Sequence, residues 1–170
     1  MGLIHIYTGE GGGKTTAALG VAVRMAGHGK KVIMVQFMKG RKNTGEWKAI
    51  KKISKKFEVR QFGRKGFVNL KNPAKEDRRL AQEGLKFAKE AMKRAPDLLV
   101  LDELNIACAY GLVDALDACE MLAHIPKKTV VYITGRHAPK EFVKCAAFVT
   151  EVRDLKRPDF AVPARKGIEY

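Results

Sequence analysis

Long apolar runs and sorting signals are absent from this 170-residue chain. No stretch reaches the roughly eighteen apolar residues that a membrane-spanning helix needs, so no membrane contact is predicted. The N-terminus MGLIHIYTG lacks the basic region and cleavage site of a secretory signal, and Ile6 stands where a myristoylation signal requires Ser or Thr. We therefore expect a cytoplasmic protein.

Cysteine is also scarce, and no C-x-x-C pair occurs among Cys108, Cys119 and Cys145. An odd number of cysteines without a secretory signal predicts reduced, mostly buried thiols, and their wide spacing argues against a zinc site. The apolar fraction of 46% and the charged fraction of 30% are those of a globular protein. The length fits one domain spanning residues 1–170.

Positive charge, by contrast, is abundant, with a net charge of +15 and a concentration of basic residues in 39–75. This pattern is compatible with nucleic-acid binding, with an anionic small substrate, or with the Lys-rich surface of a heat-adapted protein. Aromatic side chains for stacking on bases are few in that segment: Trp47, Phe57, Phe62 and Phe67.

Apolar runs and helical periodicities alternate along the whole chain. Strands are predicted at 3–7, 31–37, 57–63, 97–103, 129–135 and 148–155. Helices are predicted at 14–29, 45–56, 73–95, 111–125 and 138–146. This alternation predicts one α/β domain, a three-layer fold with a mostly parallel central sheet and helices on both faces.

The stretch YTGEGGGKTTAALG follows the first predicted strand and ends like a phosphate-binding loop. Its spacing is one residue short, because Thr8 stands where the usual G-x-x-x-x-G-K-[ST] pattern has its first glycine. The glycines let backbone N–H groups turn inward at the start of a helix, where anions bind. Lys14 adds a charge that reaches phosphate oxygens, and Thr15 offers a hydroxyl suited to Mg²⁺. The predicted nucleotide-binding residues here are Thr8, Gly9, Glu10, Gly11, Gly12, Gly13, Lys14, Thr15 and Thr16.

Two further motifs follow predicted strands. Asp102 and Glu103 end the run LLVLDE, and Arg136 follows the strand that ends in ITG. In parallel α/β sheets ligands bind at the carboxyl ends of the strands, so these side chains are expected beside the loop. An acid there completes a Mg²⁺ site with Thr15, and arginine is suited to phosphate recognition.

Five segments together resemble the ATP:corrinoid adenosyltransferases of the cobalamin-adenosylating P-loop family. They are YTGEGGGKTTAALG, VIMVQFMKG, LLVLDELNIACAYGL, VVYITGRHAP and VTEVRDLKRPDFAVPARKGIEY, in that order. The loop of that family is itself one residue short, of the form G-N-G-K-G-K-T-T. Its members end in Gly-Ile-acid-Tyr, here residues 167–170. The resemblance covers nearly the whole chain and implies a P-loop NTPase (RecA-like) fold.

The resemblance implies that MgATP binds in reversed orientation and that a Co(I) corrinoid, cob(I)alamin or a cobinamide-type compound, attacks the ribose 5′ carbon. Triphosphate leaves as one anion, stabilised by the catalytic Lys14. Thr15 and Glu103 are the implied Mg²⁺ ligands, with Asp102 as the second choice between the acids. A flavin-dependent reductant and a homodimer are also implied, with no role for nucleic acid.

The sequence departs from the family pattern in three places. Glu10 and Gly12 replace the Asn and the first Lys of the loop, which adds an acid and removes a cation. The corrinoid-facing G-F-x-W segment is reduced to Phe67, with Phe62 as the residue expected to take over the role of the tryptophan. The chain begins at the first strand, so the segment that covers the corrinoid in longer members is not expected here.

Two other functions remain open from the sequence. A RecA-like, nucleic-acid-stimulated ATPase would use the basic segment 39–75 as its binding face, with a steep dependence of affinity on salt. A regulatory module would bind ATP without turnover.

Overall fold

The apolar runs form the strands of one parallel sheet in the computed structural model, which describes residues 2–168 apart from the side chain at position 51. The strands are β1 (Ile4–Thr8), β2 (Val32–Phe37), β3 (Phe57–Phe62), β4 (Leu98–Asp102), β5 (Val130–Thr134) and β6 (Phe148–Glu151). Their order across the sheet is β3-β2-β4-β5-β1-β6, and all five pairings between them are parallel. This confirms the predicted α/β class.

Within residues 2–168, six helices connect the strands and cover the two faces of the sheet. They are α1 (Lys14–Gly27), α2 (Gly45–Ile53), α3 (Lys75–Lys93), α4 (Leu104–Ala109), α5 (Ala115–Ala123) and α6 (Lys140–Cys145). Buried apolar side chains of α1 and α2 contribute to one apolar cluster, and buried apolar side chains of α3 to α6 contribute to the other. The three layers follow from strands that are apolar on both faces.

Small residues set how closely α1 approaches the sheet. Ala18, Ala22 and Ala26 lie four residues apart and are buried against Met34 and Val100. Because alanine adds little bulk, the helix axis lies near the strands, and the loop before α1 is held at the carboxyl ends of the strands.

Several element boundaries differ from the prediction. Helix α4 was not predicted, because a six-residue helix carries too short an apolar period to stand out from the preceding strand. Helix α5 begins only after Asp114, whose side chain accepts hydrogen bonds from the amides of Leu116 and Asp117. Strand β6 ends at Glu151, and Pro73 lies before α3 instead of in its first turn.

The thiols are free but less buried than expected. Cys108 and Cys119 are half-buried, whereas Cys145 is exposed, so the prediction of mostly buried thiols was wrong for that residue. Over residues 2–168, no helix is long and apolar enough to cross a bilayer. Of the family ending Gly-Ile-Glu-Tyr, Glu169 and Tyr170 lie outside the described residues.

Candidate active site

The glycine loop leads from β1 into α1, as the sequence predicts. Gly9 and Gly13 both have a φ of +92°, a conformation that side-chain-bearing residues rarely adopt. Gly11 is required for a different reason. A Cβ at this position would lie 2.9 Å from the backbone of Arg153, since the chain after β6 runs directly against the loop. Gly11 is therefore needed for the close contact between the loop and the chain that follows β6.

The Lys14 side chain folds back across the loop. Its Nζ donates hydrogen bonds to the carbonyl oxygens of Gly9, at 2.8 Å, and Gly11, at 2.5 Å. Burial lowers the pKa of Lys14, and the nearby carboxylate of Glu103 opposes that shift. The ammonium group thus lies in the loop, beside the first-turn amides of α1, which have no partners within the helix.

Asp102 is the most completely bonded polar side chain at this edge of the sheet. It is fully buried, and its Oδ1 accepts hydrogen bonds from the hydroxyls of Thr15 (2.8 Å) and Thr134 (2.6 Å). Its Oδ2 accepts from Gln36 Nε2 (3.0 Å) and Lys39 Nζ (2.7 Å). Burial alone would raise the pKa of Asp102, but the charge of Lys39 and these hydrogen bonds hold it below its ordinary value. Asp102 therefore anchors Thr15 to β4.

Glu103 differs sharply from its neighbour. It has a φ of +65° at the start of α4, and its backbone amide donates to Thr134 Oγ1 at 3.1 Å. Burial, followed by the charge of Asp102, raises the pKa of its carboxyl group. Among the described residues, none donates a hydrogen bond to this carboxylate. Glu103 thus presents a carboxylate with free acceptor positions.

The Thr15 hydroxyl and the Glu103 carboxylate are donor groups that suit a hard cation such as Mg²⁺. Asp102 fits such a cation less well, because each of its oxygens already accepts two hydrogen bonds. Within residues 2–168 there is no cluster of three or more His, Cys, Asp or Glu side chains that would hold a metal alone. Mg²⁺ often uses one or two protein ligands together with water and substrate phosphates, so the residues fit it.

Lys39 is a functional candidate that sequence reasoning missed. It lies two residues beyond β2, and besides Asp102 its Nζ donates to Thr15 Oγ1 at 3.2 Å. Burial would lower the pKa of Lys39, but Asp102 and Glu103 raise it above the ordinary value, so the side chain keeps its charge. A lysine directly after a buried strand, at the same edge as LLVLDE, was the available signal.

Arg136 lies beside the loop, as predicted, but its contact there is with the side chain of Glu10. Its guanidinium forms an ion pair with Glu10 at 3.2 Å, and His137 Nε2 lies 3.6 Å from the same carboxylate. Glu10 of the loop therefore lies against both side chains, and its carboxylate offsets the charge of Arg136. Thr8 accepts a hydrogen bond from the amide of Ala138 at 3.2 Å, and Thr16 is exposed on α1.

A cavity of about 470 Å³ adjoins the loop at the same edge of the sheet. Lys39, Glu103 and Arg136 line this cavity and also interact with residues of the loop or of the first turn of α1. Phe67 lies among the other lining residues. The C-terminal segment reaches this cavity at Ala164. A volume of this size is in the range of small-molecule pockets.

The two aromatic residues predicted for the corrinoid side have different surroundings. Phe67 is 92% exposed, and the guanidinium of Arg41 lies over its ring at 5.6 Å. Arg41 Nε also donates to the carbonyl of Lys65 at 2.8 Å, which ties the two loops together. Phe62 instead packs against the core, with its ring 5.5 Å from that of Phe87. The structure brings Phe67 to the cavity and gives Phe62 a packing role.

The basic segment 39–75 does not form an aromatic stacking surface. Phe57 is buried and Trp47 is half-buried, which leaves Phe67 as the exposed aromatic of the four considered. Stacking platforms for single strands need several exposed rings along a basic groove. The nucleic-acid-stimulated ATPase is therefore not favoured.

The glycine loop, the strand order and the Thr15–Asp102 contact define a P-loop NTPase-like α/β protein. Comparison with known sequences gives the particular family. The chain belongs to the ATP:corrinoid adenosyltransferase family BtuR/CobO/CobP, whose sequence model matches residues 1–170.

Individual relatives agree with this assignment. The corrinoid adenosyltransferase of Escherichia coli K12 is 35% identical over 99% of this chain and 86% of its own length. The corrinoid adenosyltransferase CobA of Salmonella typhimurium is 34% identical, with the same coverage of both chains. A corrinoid adenosyltransferase from a Sinorhizobium species is 34% identical over 99% of this chain and 80% of its own length. The resemblance seen in the sequence is confirmed.

Proposed function

We propose that this chain transfers the 5′-deoxyadenosyl group of ATP to the Co(I) centre of a corrinoid and releases triphosphate. The observation that carries the proposal is that Glu103 and Arg136 belong to both halves of one site. They flank the glycine loop, and they also line the cavity that holds Phe67. A nucleotide held by the loop would therefore lie beside an adjoining substrate. Membership of the ATP:corrinoid adenosyltransferase family supports this assignment.

The reaction needs positioning and charge stabilisation more than proton transfer. The cobalt lone pair of Co(I) forms a bond to the ribose 5′ carbon, which makes the cobalt formally Co(III). The bond from that carbon to its phosphate oxygen breaks, and its electron pair stays on the departing triphosphate. Lys14 and the first-turn amides of α1 would stabilise the charge that develops there. No water-activating base is required.

The Mg²⁺ ligands that fit this arrangement are Thr15 and Glu103. Bound there, Mg²⁺ would offset the charge of the triphosphate as a Lewis acid. Asp102 would act by orienting the Thr15 hydroxyl, with which it shares a hydrogen bond of 2.8 Å. The ammonium group of Lys39 is a further positive charge at this edge of the sheet, and it keeps the buried carboxylate of Asp102 ionised.

Phe67 is the aromatic residue that we assign to the corrinoid. Co(II) must lose its axial ligand before it is readily reduced to Co(I), and an apolar side chain that fills the ligand position favours that loss. Phe67 is exposed at the cavity, and the guanidinium of Arg41 lies against its ring, which suits contact with a large planar substrate. The one-electron donor we propose is a flavin-dependent reductant, and the proposed assembly is a homodimer.

The test supplies ATP, Mg²⁺ and a chemically reduced corrinoid, cob(I)alamin or cob(I)inamide. The absorbance of the adenosylated corrinoid and the triphosphate released are then followed together. Equal amounts of the two products are expected. Orthophosphate release without corrinoid would instead indicate an ATPase, and ATP binding without either product would indicate a regulatory module.

A further inference from the structure

The chain that follows β6 lies across the glycine loop as a strap, which we define as residues 152–157. The Gly11 amide donates to the carbonyl of Val152 at 2.8 Å, and this bond continues the backbone contact of β6 with β1. Arg157 donates to the carbonyl of Glu10 at 3.1 Å and pairs with the carboxylate of Asp154. The strap therefore bonds to the backbone of two successive loop residues, Glu10 and Gly11.

The contact at Gly12 is of a different kind, because it places a negative charge on a loop amide. Asp154 Oδ1 accepts a hydrogen bond from the Gly12 N–H at 3.2 Å. A carboxylate oxygen in that place makes the bond that a phosphate oxygen makes in a phosphate-binding loop. Asp154 also interacts electrostatically with the ammonium group of Lys14. One side chain of the protein thus bonds to the Gly12 amide, a group that a triphosphate would use, and places its negative charge within the electrostatic reach of Lys14.

The residue at position 12 and the charge of Asp154 both bear on how anions bind to the loop. Gly12 has no side chain, so this position supplies an amide but no cation of its own. The hydrogen bond from Arg157 lowers the pKa of Asp154, so the carboxylate is ionised at neutral pH. We propose that Asp154 is a tethered anion that competes with the triphosphate of ATP for the Gly12 amide, and so lowers the affinity for the nucleotide. This inference rests on the proposed binding of ATP by the loop.

Little of the structure has to move when the nucleotide enters. The Gly11–Val152 bond is a backbone bond that does not involve the Asp154 side chain, so the strap stays in place. Rotation of the Asp154 side chain would free the Gly12 amide without breaking the Gly11–Val152 bond. The competition is therefore between two anions for one amide, not between a folded and an unfolded strap.

The experiment measures the dissociation constants of MgATP and of inorganic triphosphate by calorimetry, without corrinoid. Asp154→Asn removes the charge and keeps the shape, whereas Asp154→Ala also removes the acceptor. Asp159→Asn is the matched control, since it removes the same charge from an exposed tail residue. We expect both Asp154 variants to bind each ligand roughly fivefold tighter or more, with the control near the wild type.

The outcomes separate this inference from the proposed function. Unchanged or weaker binding in both Asp154 variants would overturn it, because a competing anion must weaken binding when present. A gain of the same size in Asp159→Asn would also overturn it, since it would show a general charge effect. Failure of the wild-type protein to bind MgATP, with Lys14→Ala equally inactive in binding, would instead refute the proposed function.

Discussion

The hydroxyl of Thr15 donates a hydrogen bond to Asp102 Oδ1 over 2.8 Å, although the two residues lie 87 positions apart in the sequence. This contact joins the first turn of α1 to the end of β4. The Asp102 carboxylate accepts hydrogen bonds from four donors. The carboxylate of the adjoining Glu103, by contrast, has acceptor positions that no described residue fills. The two neighbouring acids are therefore expected to respond differently to substitution.

Glu103→Gln keeps the shape of the side chain and removes its charge. We expect the Mg²⁺ concentration for half-maximal adenosylation to rise, with little change in melting temperature, because the free carboxylate is the proposed ligand. Asp102→Asn should instead lower the melting temperature, since it leaves the charge of Lys39 without its partner. The opposite pattern, with Mg²⁺ dependence altered by Asp102→Asn alone, would reverse the assignment.

Lys14→Ala tests the stabilisation of the leaving group. The rate of adenosylation should fall by a factor on the order of a hundred or more, because the ammonium group would no longer offset the charge developing on triphosphate. Circular dichroism and the melting temperature should remain close to those of the wild type. A folded variant with a near-normal rate would show that Lys14 does not contact the phosphates.

Phe67→Ala tests the corrinoid side, with Phe62→Ala as a matched control. The Phe67 variant should keep its ATP affinity but lose most of its rate from Co(II) corrinoid, while prereduced Co(I) corrinoid is affected much less. Phe62→Ala should mainly lower stability, because its ring packs against Phe87 and the core. Equal losses with both oxidation states in Phe67→Ala would assign this side chain to packing.

The environment of Asp77 predicts how the free energy of unfolding depends on pH. Its carboxylate is buried at the start of α3. It accepts hydrogen bonds from Nε and Nη2 of the Arg64 guanidinium and from the backbone amide of Ala74. The hydrogen bonds from Arg64, against the opposing effect of burial, lower its pKa below the ordinary 3.8. Because the folded pKa is the lower one, the stabilisation is complete above the unfolded pKa and is lost as the pH falls below it.

The measurement compares the wild type with Asp77→Asn across pH. At neutral pH the variant should lose about 2 kcal/mol of unfolding free energy, because a buried acceptor of charged hydrogen bonds is removed. The gap should narrow as the pH falls below about 4, because the unfolded wild-type chain then binds a proton that the folded Asp77 carboxylate resists. A difference that is constant from acid to neutral pH would mean that the charge of Asp77 contributes nothing.

The cysteines should differ in reactivity. Burial raises the pKa of the Cys108 thiol to about 12, so its reactive thiolate is scarce at pH 8. Cys145 is exposed and should be alkylated well before Cys108. Peptide mass spectrometry after timed alkylation gives the order, and labelling of Cys108 as fast as Cys145 would contradict it.

The position of the site could be predicted from the sequence because the geometry of parallel sheets is general. The glycine loop, the acids at the end of LLVLDE and the arginine of ITGR each lie at the carboxyl end of a strand. A parallel sheet brings these ends to one edge, so their proximity follows once the sheet is predicted. The partners within the site could not be predicted in the same way. Lys39 contacts Asp102 across 63 positions, and Asp154 contacts Gly12 across 142, and both depend on the strand order. Single-sequence patterns carry period and polarity but no pairing between distant residues.

The order of the strands also determines when the parts of this protein can come together during synthesis. The half-sheet β3-β2-β4 needs only residues 32–102, so it can form on the ribosome while the rest of the chain is still being made. Among residues 2–168, strand β1 is synthesised before the other strands but pairs with β5 and β6, which are synthesised after them. Such pairing between distant segments is slow and comes late. We therefore expect the strand that carries the glycine loop to lack its β5 and β6 partners until those segments have been synthesised, and nascent chains truncated before residue 130 should not present the proposed nucleotide site.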